Sequence, residues 1–330
     1  WTVDGEGKAM HKSLGNGVDP ADIFNKYGAD ILRLWAASAD YHADVRCSDA
    51  IFKQLAQNYL KFRNTARYCL GNLDGFDPNN LVAPADMLEL DRWAVTRLNA
   101  LIEKCAQAYN DYEFLVVTHA VNDFCVVELS NFYLDIIKDR LYCDETDGLA
   151  RRSAQTALYL ILDTITKIMA PILCFTGDEI WLAMPHKAGD DGRNVLFNDM
   201  NGVFADYALS ADEMAKWEKI IEVRDAVNGA LETARAEKKI GKSLEAEVDL
   251  TVTPEDGFLA SMDAAQVADL FIVSQVRVDV DAEQKVAVRP ASGAKCARCW
   301  KVLPTVGSDS EHPDLCPRCA AVVKKLPVIE

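Results

Sequence analysis

Apolar residues recur at three- and four-residue intervals through most of the chain between residues 48 and 183. In the first of these segments the repeating positions are Ile51, Phe52, Leu55, Tyr59, Phe62, Ala66 and Cys69. Segments 90–109, 119–143 and 149–171 have the same pattern, and Pro171 ends the last one. Because a period of 3.6 residues places such positions on one face of a helix, we predict long amphipathic helices. Short polar breaks between them favour an antiparallel, up-and-down helical bundle.

The residues before this bundle predict a loop followed by two short helices. Asp19 is a typical N-cap residue, and Pro20 follows it at the first helical position, where its missing N–H is not needed. Gly28 predicts the end of the first helix, and the apolar residues Ile31 and Trp35 belong to the second.

The pattern changes after the glycine- and aspartate-rich segment 186–194. A charged helix is predicted over 213–241, ending at Gly241 with Lys238 and Lys239 in its last turn, where cations suit the helix dipole. Three alternating segments then predict strands: 246–252, 271–280 and 285–290. The fold class is therefore mainly α, with a small α+β region after the bundle and a cysteine-rich tail.

Length and composition narrow the function classes. A chain of 330 residues is too long for one ordinary core, so two or three domains are expected. The formal charge of −16 argues against a generic nucleic-acid binder, although contact through local basic patches is compatible with it. The longest apolar stretch, 158–175, contains Asp163 and Lys167 and predicts a buried helix instead of a membrane span. We expect a cytoplasmic protein without a signal peptide.

Four of the ten cysteines form two Cys-x-x-Cys pairs separated by sixteen residues: Cys296, Cys299, Cys316 and Cys319. Paired knuckles of this kind present four thiolates with the tetrahedral geometry that Zn²⁺ takes in closed structural sites. A disulfide pair or a redox motif is the alternative. A redox Cys-x-x-Cys normally occurs singly, and a reducing cytosol disfavours disulfides. We predict one structural zinc ion and a zinc-ribbon-like tail. The other six cysteines are scattered through apolar helical patterns, as expected of small buried residues.

The tail is also locally basic. Residues 285–325 contain eight lysines and arginines against three acids, a net charge of +5. Arg298 and Trp300 lie beside the first knuckle and supply a cation and a stacking face, the combination that grips unpaired bases. The alternative is that Trp300 packs against the knuckle and the cations only solubilise the tail.

Two further basic segments are candidate contacts. Arg63 and Arg67 lie one turn apart, away from the apolar stripe, where a solvated polar face is the default interpretation and nucleic-acid contact the alternative. In the opening loop, "GKAMHKSLGN", Lys8 and Lys12 are placed among glycines and could bind phosphate oxygens. This loop is not a Walker A loop, and a surface hairpin tip is the alternative.

Taken together, these segments resemble class I aminoacyl-tRNA synthetases, specifically the C-terminal part of the bacterial isoleucyl type. "MHKS" followed by "LGN" looks like the Lys-Met-Ser-Lys-Ser loop of the family, and "GADILRLW" looks like the segment after it. "RNTARY", "LDRW", "ELSNFYLDIIKDRLY" and "FTGDEIW" are similar to the anticodon-binding helical domain. "EVRDAVNGALETAR" and the cysteine knuckles resemble the C-terminal region. The likeness runs over essentially the whole chain in the correct order.

The resemblance implies activation of isoleucine by ATP to an aminoacyl adenylate, followed by transfer to the 3′ end of tRNA(Ile). Lys12 falls on the second lysine of the signature, whose ammonium stabilises the ATP phosphates in the transition state, and is the implied catalytic residue. Met10 and Ser13 match directly and complete the implied ATP-binding loop with His11, which replaces the central serine. Ala9 stands where the first lysine belongs.

The resemblance also implies the domains and partners of the chain. The family's His-x-Gly-His element is missing, so we expect a fragment that is inactive alone. The implied domains are the end of the catalytic domain (1–46), the helical anticodon-binding domain (47–205), an α+β junction (206–289) and the zinc-finger tail (290–330). The expected cofactors and partners are Zn²⁺, ATP with Mg²⁺, isoleucine and tRNA(Ile), bound by a monomer. The implied tRNA contacts are Arg63, Asn64, Arg67, Arg298 and Trp300.

The sequence is also compatible with three other classes of protein. A valyl-type synthetase has a similar architecture but usually ends in a coiled-coil arm, which this sequence lacks. A DNA-repair glycosylase of the formamidopyrimidine class has the same kind of finger but no helical bundle. A zinc-stapled helical module that binds protein is the alternative from another class.

Overall fold

The computed structural model describes residues 1–326. The helices, in chain order, are α1 (Pro20–Tyr27), α2 (Ala29–Ala37), α3 (Asp49–Asn72), α4 (Glu89–Asn110), α5 (Phe114–Asp123), a π-helix (Phe124–Tyr133), α6 (Leu134–Ile136), α7 (Lys138–Cys143), α8 (Leu149–Met169), α9 (Cys174–Ala183), α10 (Ala211–Ala236), α11 (Phe258–Ser261), α12 (Ala264–Phe271) and α13 (Pro317–Val323). The strands are β1 (Thr2–Val3), β2 (Val45–Arg46), β3 (Ala246–Val252), β4 (Gln275–Val280), β5 (Lys285–Pro290), β6 (Ala294–Lys295) and β7 (Val302–Leu303). The mainly α fold class is confirmed.

The chain forms two compact units. The first contains Trp1–Asp135 and Arg152–Ala208, and the second contains Ile136–Arg151 and the chain from Leu209 onward. The segment Ile136–Arg151 therefore packs with the C-terminal region, although it lies within the bundle segment of the sequence. The finer division into four domains remains a prediction.

The first unit begins as its sequence predicts. The Asp19 side chain accepts a hydrogen bond from the backbone N–H of Ala21 at the start of α1, and Pro20 occupies the first turn. Gly28 ends α1 with a φ of 89°, a conformation that residues with a Cβ rarely adopt. In α3, Phe52, Phe62, Ala66 and Cys69 are buried, while Arg63, Asn64 and Arg67 are exposed, so the predicted stripe is confirmed.

Helix α8 lies at the centre of this unit. Every residue from Ser153 to Met169 is buried. The only charged residues among them, Asp163 and Lys167, pair with each other at 2.9 Å, because a buried charge needs a partner of opposite sign. Within residues 1–326, none of the helices combines the length and the apolar character that crossing a membrane requires.

The helix predicted over 119–143 is not continuous. It consists of α5, the ten-residue π-helix, α6 and α7. In the π-helix the Ser130 hydroxyl donates to the carbonyl of Cys125, five residues earlier, at 2.7 Å. The hydroxyl of Tyr133, the last residue of the π-helix, donates a hydrogen bond to the buried Asp91 at 2.7 Å. A hydrophobic period near 3.6 does not distinguish such a segment from an α-helix.

The core of the second unit is a three-stranded sheet in the order β4–β3–β5. Strand β3 pairs parallel with β4 and antiparallel with β5, so that Val248 lies opposite both Val276 and Val288. α11 and α12 form the connection from β3 to β4, and α10 and α12 pack against the sheet. The predicted strands 246–252 and 285–290 are confirmed. The third begins at Gln275 instead of residue 271, because Phe271 ends α12 and Ile272 is left-handed.

Helix α10 is shifted from its predicted bounds. It begins earlier, because Ser210 and Glu213 form a capping box in which each side chain bonds the other residue's backbone. It ends at Ala236, five residues before Gly241, because Lys238 adopts a left-handed φ of 60°. The N–H groups of Lys238 and Lys239 then bond back to the carbonyls of Arg235 and Ala234, as in a Schellman motif.

Candidate metal centre and nucleic-acid surfaces

The four clustered cysteines converge at the base of the tail. The Sγ atoms of Cys296, Cys299, Cys316 and Cys319 all lie within 4.8 Å of one another, and all four residues are buried. The Cys299 and Cys316 sulfurs are 3.9 Å apart. Four ligands at about 2.3 Å from a tetrahedral Zn²⁺ place their sulfurs about 3.8 Å apart, so the residues fit this ion.

The backbone around the cluster favours the thiolate form of Cys296. Burial raises the pKa of Cys296, but N–H groups of Cys299, Cys316 and Arg298 outweigh it and lower the pKa to about 6. Burial raises the pKa values of Cys299 and Cys319. Zn²⁺, when bound, supplies the positive charge that four adjacent thiolates need. With all four positions taken by sulfur, the site is structural and leaves no ligand position for a substrate. None of the ten cysteines is part of a disulfide bond.

Two unusual backbone conformations shape the tail around this site. Gly293 has a φ of 111°, and a Cβ there would lie 2.2 Å from the carbonyl carbon of Leu303. Only glycine fits that position. Trp300 has a left-handed φ of 64° although it carries a large side chain, and its N–H donates to the carbonyl of Cys296. The turn that closes the first knuckle therefore fixes the backbone of Trp300.

The Trp300 ring is mostly exposed (56%), so it does not pack as a buried residue against the knuckle. The Nζ atoms of Lys242 and Lys295 each lie 5.8 Å from the ring centroid. Cations at this distance interact with the indole face and hold positive charge beside it. This surface has the composition expected for stacking an unpaired base, and the role of Trp300 remains a prediction.

Arg298 is held inside the second unit. Its guanidinium donates to the backbone carbonyl of Cys143 and, at 3.4 Å, to that of Tyr142. The carbonyl of Arg298 in turn accepts the Cys143 thiol. Arg298 therefore joins the tail to α7, and its predicted contact with tRNA remains untested.

A second arginine strengthens the same contact. Arg318 forms a two-pronged ion pair with Asp139, in which Nη2 and Oδ1 are 2.8 Å apart, and a longer one with Asp144. Burial raises the pKa of Asp139, but the Arg318 guanidinium outweighs it, so the pKa is lowered. Sequence reasoning missed this pair, because 179 residues separate its members and neither belongs to a motif.

The opening loop folds as a braced turn. Val3 and Ala9 form a β-bridge, and Asp4 accepts the N–H groups of Glu6 and Lys8. The Asn16 side chain closes the loop: its amide donates to Asp4 and to the carbonyl of Ala9, and its oxygen accepts the N–H of His11. The hydrogen bond that the Asn16 amide donates to Asp4 is the main cause that lowers the pKa of Asp4, and the hydrogen bond from the Lys8 N–H is the second.

The residues matched to the signature have different environments in this loop. Met10 is half-buried against a cluster that includes Ile23 and Phe52, which anchors the loop. His11, Lys12 and Ser13 are exposed. Within residues 1–326, no carboxylate lies within ion-pairing distance of the Lys12 ammonium.

Lys8, the other cation of the loop, is already paired. Its Nζ lies 2.6 Å from Glu6. Lys12 is therefore the cation of the loop whose charge is available to an incoming anion.

The three candidates on α3 also differ. Arg63 donates to the Tyr59 hydroxyl at 2.8 Å and pairs with Glu179 of α9 at 3.2 Å. The hydrogen bond that Arg63 donates to Tyr59, followed by charge attraction, raises the pKa of Arg63. Asn64 and Arg67 are exposed, and the described chain supplies no side-chain partner for either. Arg63 therefore braces two helices, while Arg67 is a free cation on the same helix.

Three family models match the chain in order. "tRNA synthetases class I (I, L, M and V)" matches residues 1–48, "Anticodon-binding domain of tRNA ligase" residues 91–250, and "Zinc finger found in FPG and IleRS" residues 293–322. The last match covers the four cysteines.

Curated relatives match almost the entire chain. They include isoleucine–tRNA ligases of Syntrophotalea carbinolica (47% identical), Geobacter sulfurreducens (46%) and Desulforamulus reducens (48%). Each alignment covers 98% of this chain, which spans 36% of the relative's length. A solved Agrobacterium radiobacter K84 LeuRS–tRNA–LeuAMS complex aligns over 77% of this chain and 25% of that one, at 16% identity and a TM-score of 0.49. The chain belongs to the isoleucine–tRNA ligase family of class I aminoacyl-tRNA synthetases and corresponds to the C-terminal portion of its members.

Proposed function

We propose that this chain is the tRNA-binding portion of an enzyme that joins isoleucine to tRNA(Ile). The observation that carries the proposal is the match to isoleucine–tRNA ligases over 98% of the chain, with the anticodon-binding and zinc-finger regions in the same order. The complete enzyme would use ATP with Mg²⁺ to activate isoleucine as an adenylate and then transfer it to the tRNA. We propose that it acts as a monomer in the cytoplasm.

The opening loop would serve the activation step. Lys12 is exposed and unpaired within the described chain, so its ammonium is available to phosphate oxygens. Met10 anchors the loop on apolar residues, and Asn16 ties its two sides together. A cation held on a braced loop stabilises developing negative charge with little reorganisation. Lys8 pairs with Glu6 at 2.6 Å, so its charge is less available to the phosphates than that of Lys12.

The bundle and the tail would hold the tRNA. Because the chain carries a charge of −16, binding must rely on local cations such as Arg67 and on stacking at Trp300. Arg63 and Arg298 would act mainly by holding these surfaces in place, since both already have protein partners. The zinc site would fix the tail that presents Trp300 and would take no part in the chemistry.

Filter binding with tRNA(Ile) and an unrelated tRNA tests this proposal. At about 0.15 M salt we expect tighter binding of tRNA(Ile), and a transcript with an altered anticodon should lose most of the difference. Equal affinity for both tRNAs would refute anticodon recognition. Preferential capture of a protein with no tRNA binding would instead support the interaction-module alternative.

The activation step needs a second assay. The 330-residue chain should show no ATP–pyrophosphate exchange, whereas the full-length protein should show it. In the full-length protein, Lys12→Ala should lower kcat for exchange by about 10²- to 10³-fold, as expected for loss of one transition-state contact to a charged oxygen. Lys8→Ala is the matched control in the same loop and should have a much smaller effect. Equal losses in the two variants would contradict the role of Lys12.

A further inference from the structure

A basic cleft of about 470 Å³ lies in the second unit, where helix α10 ends. Arg235, Lys238 and Lys239 line it, and Ile240 and Pro290 form apolar parts of its wall. None of the candidate contacts derived from sequence lies in this cleft. The residues that line it carry three cations against one acid, Glu245, within a chain whose net charge is −16. The cleft is therefore a local concentration of positive charge.

The fold itself places these cations. The left-handed φ of Lys238 ends α10 in the Schellman motif and turns the chain back along the cleft. A non-glycine residue in this conformation is strained, and such strain concentrates at functional sites. Arg235 is oriented by a hydrogen bond to the Ser243 hydroxyl at 2.9 Å.

The one carboxylate of the cleft is already engaged. Glu245 accepts the N–H groups of Gly241 at 2.9 Å and Lys242 at 3.2 Å. These two hydrogen bonds hold the turn and lower the pKa of Glu245, and the charges of Lys295 and Lys242 lower it further. In the described part of the chain, Glu245 forms no ion pair with Lys238 or Lys239. Lys239 pairs with Glu237, which is exposed. Within residues 1–326, no carboxylate lies within ion-pairing distance of Lys238.

The cleft is connected to the stacking surface. Lys242 follows Gly241, a wall residue, and its Nζ lies 5.8 Å from the centroid of the Trp300 ring. Lys295 lies at the same distance from this ring. Phosphate-binding cations beside an exposed aromatic face are the arrangement used to bind single-stranded nucleic acid.

We propose that the cleft binds a backbone phosphate of the tRNA next to a nucleotide whose base stacks on Trp300. The proposal rests on the proposed function and adds a contact site to it. Lys238 would supply the unpaired charge, and Lys239 would contribute after leaving the exposed Glu237. Arg235 and Glu245 would hold the cleft in shape. The ligand class is an RNA phosphodiester, and a free phosphate ion is the competing source of the same chemistry.

The test compares variants of the 330-residue chain in tRNA(Ile) binding over a series of salt concentrations. Lys238→Asn removes the charge, and asparagine tolerates the left-handed conformation, so the turn is kept. Lys239→Gln is a second variant that needs no special backbone. Lys285→Gln is the matched control, since Lys285 lies on β5 five residues, or about 16 Å, from Pro290.

We expect Lys238→Asn to weaken binding by about 3- to 10-fold at 0.1 M salt and to reduce the slope of log K against log salt by about 0.7. Lys239→Gln should change both quantities in the same direction but by less, because Lys239 must first leave Glu237. The control should change neither quantity. Trp300→Ala should weaken binding and leave the slope unchanged, because stacking releases no counterions.

The outcomes separate the two proposals. If the unaltered chain binds tRNA(Ile) and both cleft variants bind with unchanged affinity and slope, the cleft proposal is wrong and the proposed function stands. If the unaltered chain binds no tRNA, both proposals fail. If inorganic phosphate at 10–50 mM binds the unaltered chain but not Lys238→Asn, while tRNA affinity is equal in both, the cleft is a free-phosphate site and the RNA assignment is refuted.

Discussion

Replacing Arg318 with glutamine should open the contact between the tail and helix α7. Arg318 holds Asp139 with both guanidinium arms and also approaches Asp144, so its loss leaves two acidic groups without their main cation. Beneath this pair lies Cys143, whose thiol is buried in the same hydrophobic cluster as the four clustered cysteines. Opening of the contact therefore exposes Cys143.

The size of the effect follows from the burial of the pair. The Asp139 side chain is 21% exposed and that of Arg318 is 39% exposed, so the pair is intermediate between surface and core. Exposed pairs contribute at most about 1 kcal/mol, whereas breaking a buried pair costs about 3–5 kcal/mol. We expect about 2 kcal/mol for Arg318→Gln, which raises the equilibrium population of the open state about 30-fold.

Alkylation of Cys143 by N-ethylmaleimide, followed by peptide mass spectrometry, measures this opening. When reclosing is faster than the reaction, the alkylation rate is proportional to the open population. Zinc should be kept saturating so that the four clustered cysteines stay protected. Arg318→Lys should give an intermediate rate, because lysine keeps the charge and loses the two-pronged geometry.

A double-mutant cycle decides whether the pair itself is responsible. Asp139→Asn alone should also speed alkylation, and Arg318→Gln combined with it should react only slightly faster than either single variant. Lys285→Gln, which alters an exposed lysine of the sheet, should behave as the unaltered chain. An Arg318→Gln protein in which Cys143 reacts at the unaltered rate would refute the reasoning.

Three other outcomes are expected. The chain should bind one equivalent of zinc, and Cys316→Ser or a strong chelator should unfold the tail. Unfolding would be measured as loss of hydrogen-exchange protection over residues 293–322, and full protection in metal-free protein would contradict the prediction. Gly293→Ala should destabilise the tail by about 2–4 kcal/mol in the same assay, because the added methyl group overlaps Leu303; unchanged protection would contradict the close approach. Arg67→Gln should weaken tRNA binding without lowering the Tm, whereas Arg63→Gln should lower the stability of the bundle by about 1 kcal/mol, and the reverse result would overturn their assignment.

The features that the sequence predicted well are local. The stripe of α3, the cap at Asp19 and the buried character of α8 follow from periodicity and capping chemistry within single helices. The zinc ligands were also predictable, because the two Cys-x-x-Cys spacings specify the metal geometry by themselves.

The features that the sequence did not predict depend on contacts between residues far apart in sequence, or on backbone conformations that the residue type does not indicate. Arg318 and Asp139 meet only after the tail has folded onto α7. The basic cleft exists because α10 ends at a left-handed lysine, while the obvious stop signal, Gly241, lies three residues further on. Propensity places such a turn at glycine or asparagine, whereas here it falls on Lys238, with the hydrogen bonds of a Schellman motif.

The candidate tRNA and ATP contacts are better ranked by whether each cation already has a partner in the folded chain than by its charge alone. A cation already paired with a carboxylate or carbonyl must break that contact to bind a phosphate. The free energy of the lost contact offsets part of the free energy of the new one. Arg63 and Arg298 are of this kind. Arg67, Lys12 and Lys238 have no such partner within residues 1–326, so a phosphate meets their full charge. In a chain with a net charge of −16, specific binding is therefore best explained by a few unpaired cations on surfaces that the paired ones hold in place.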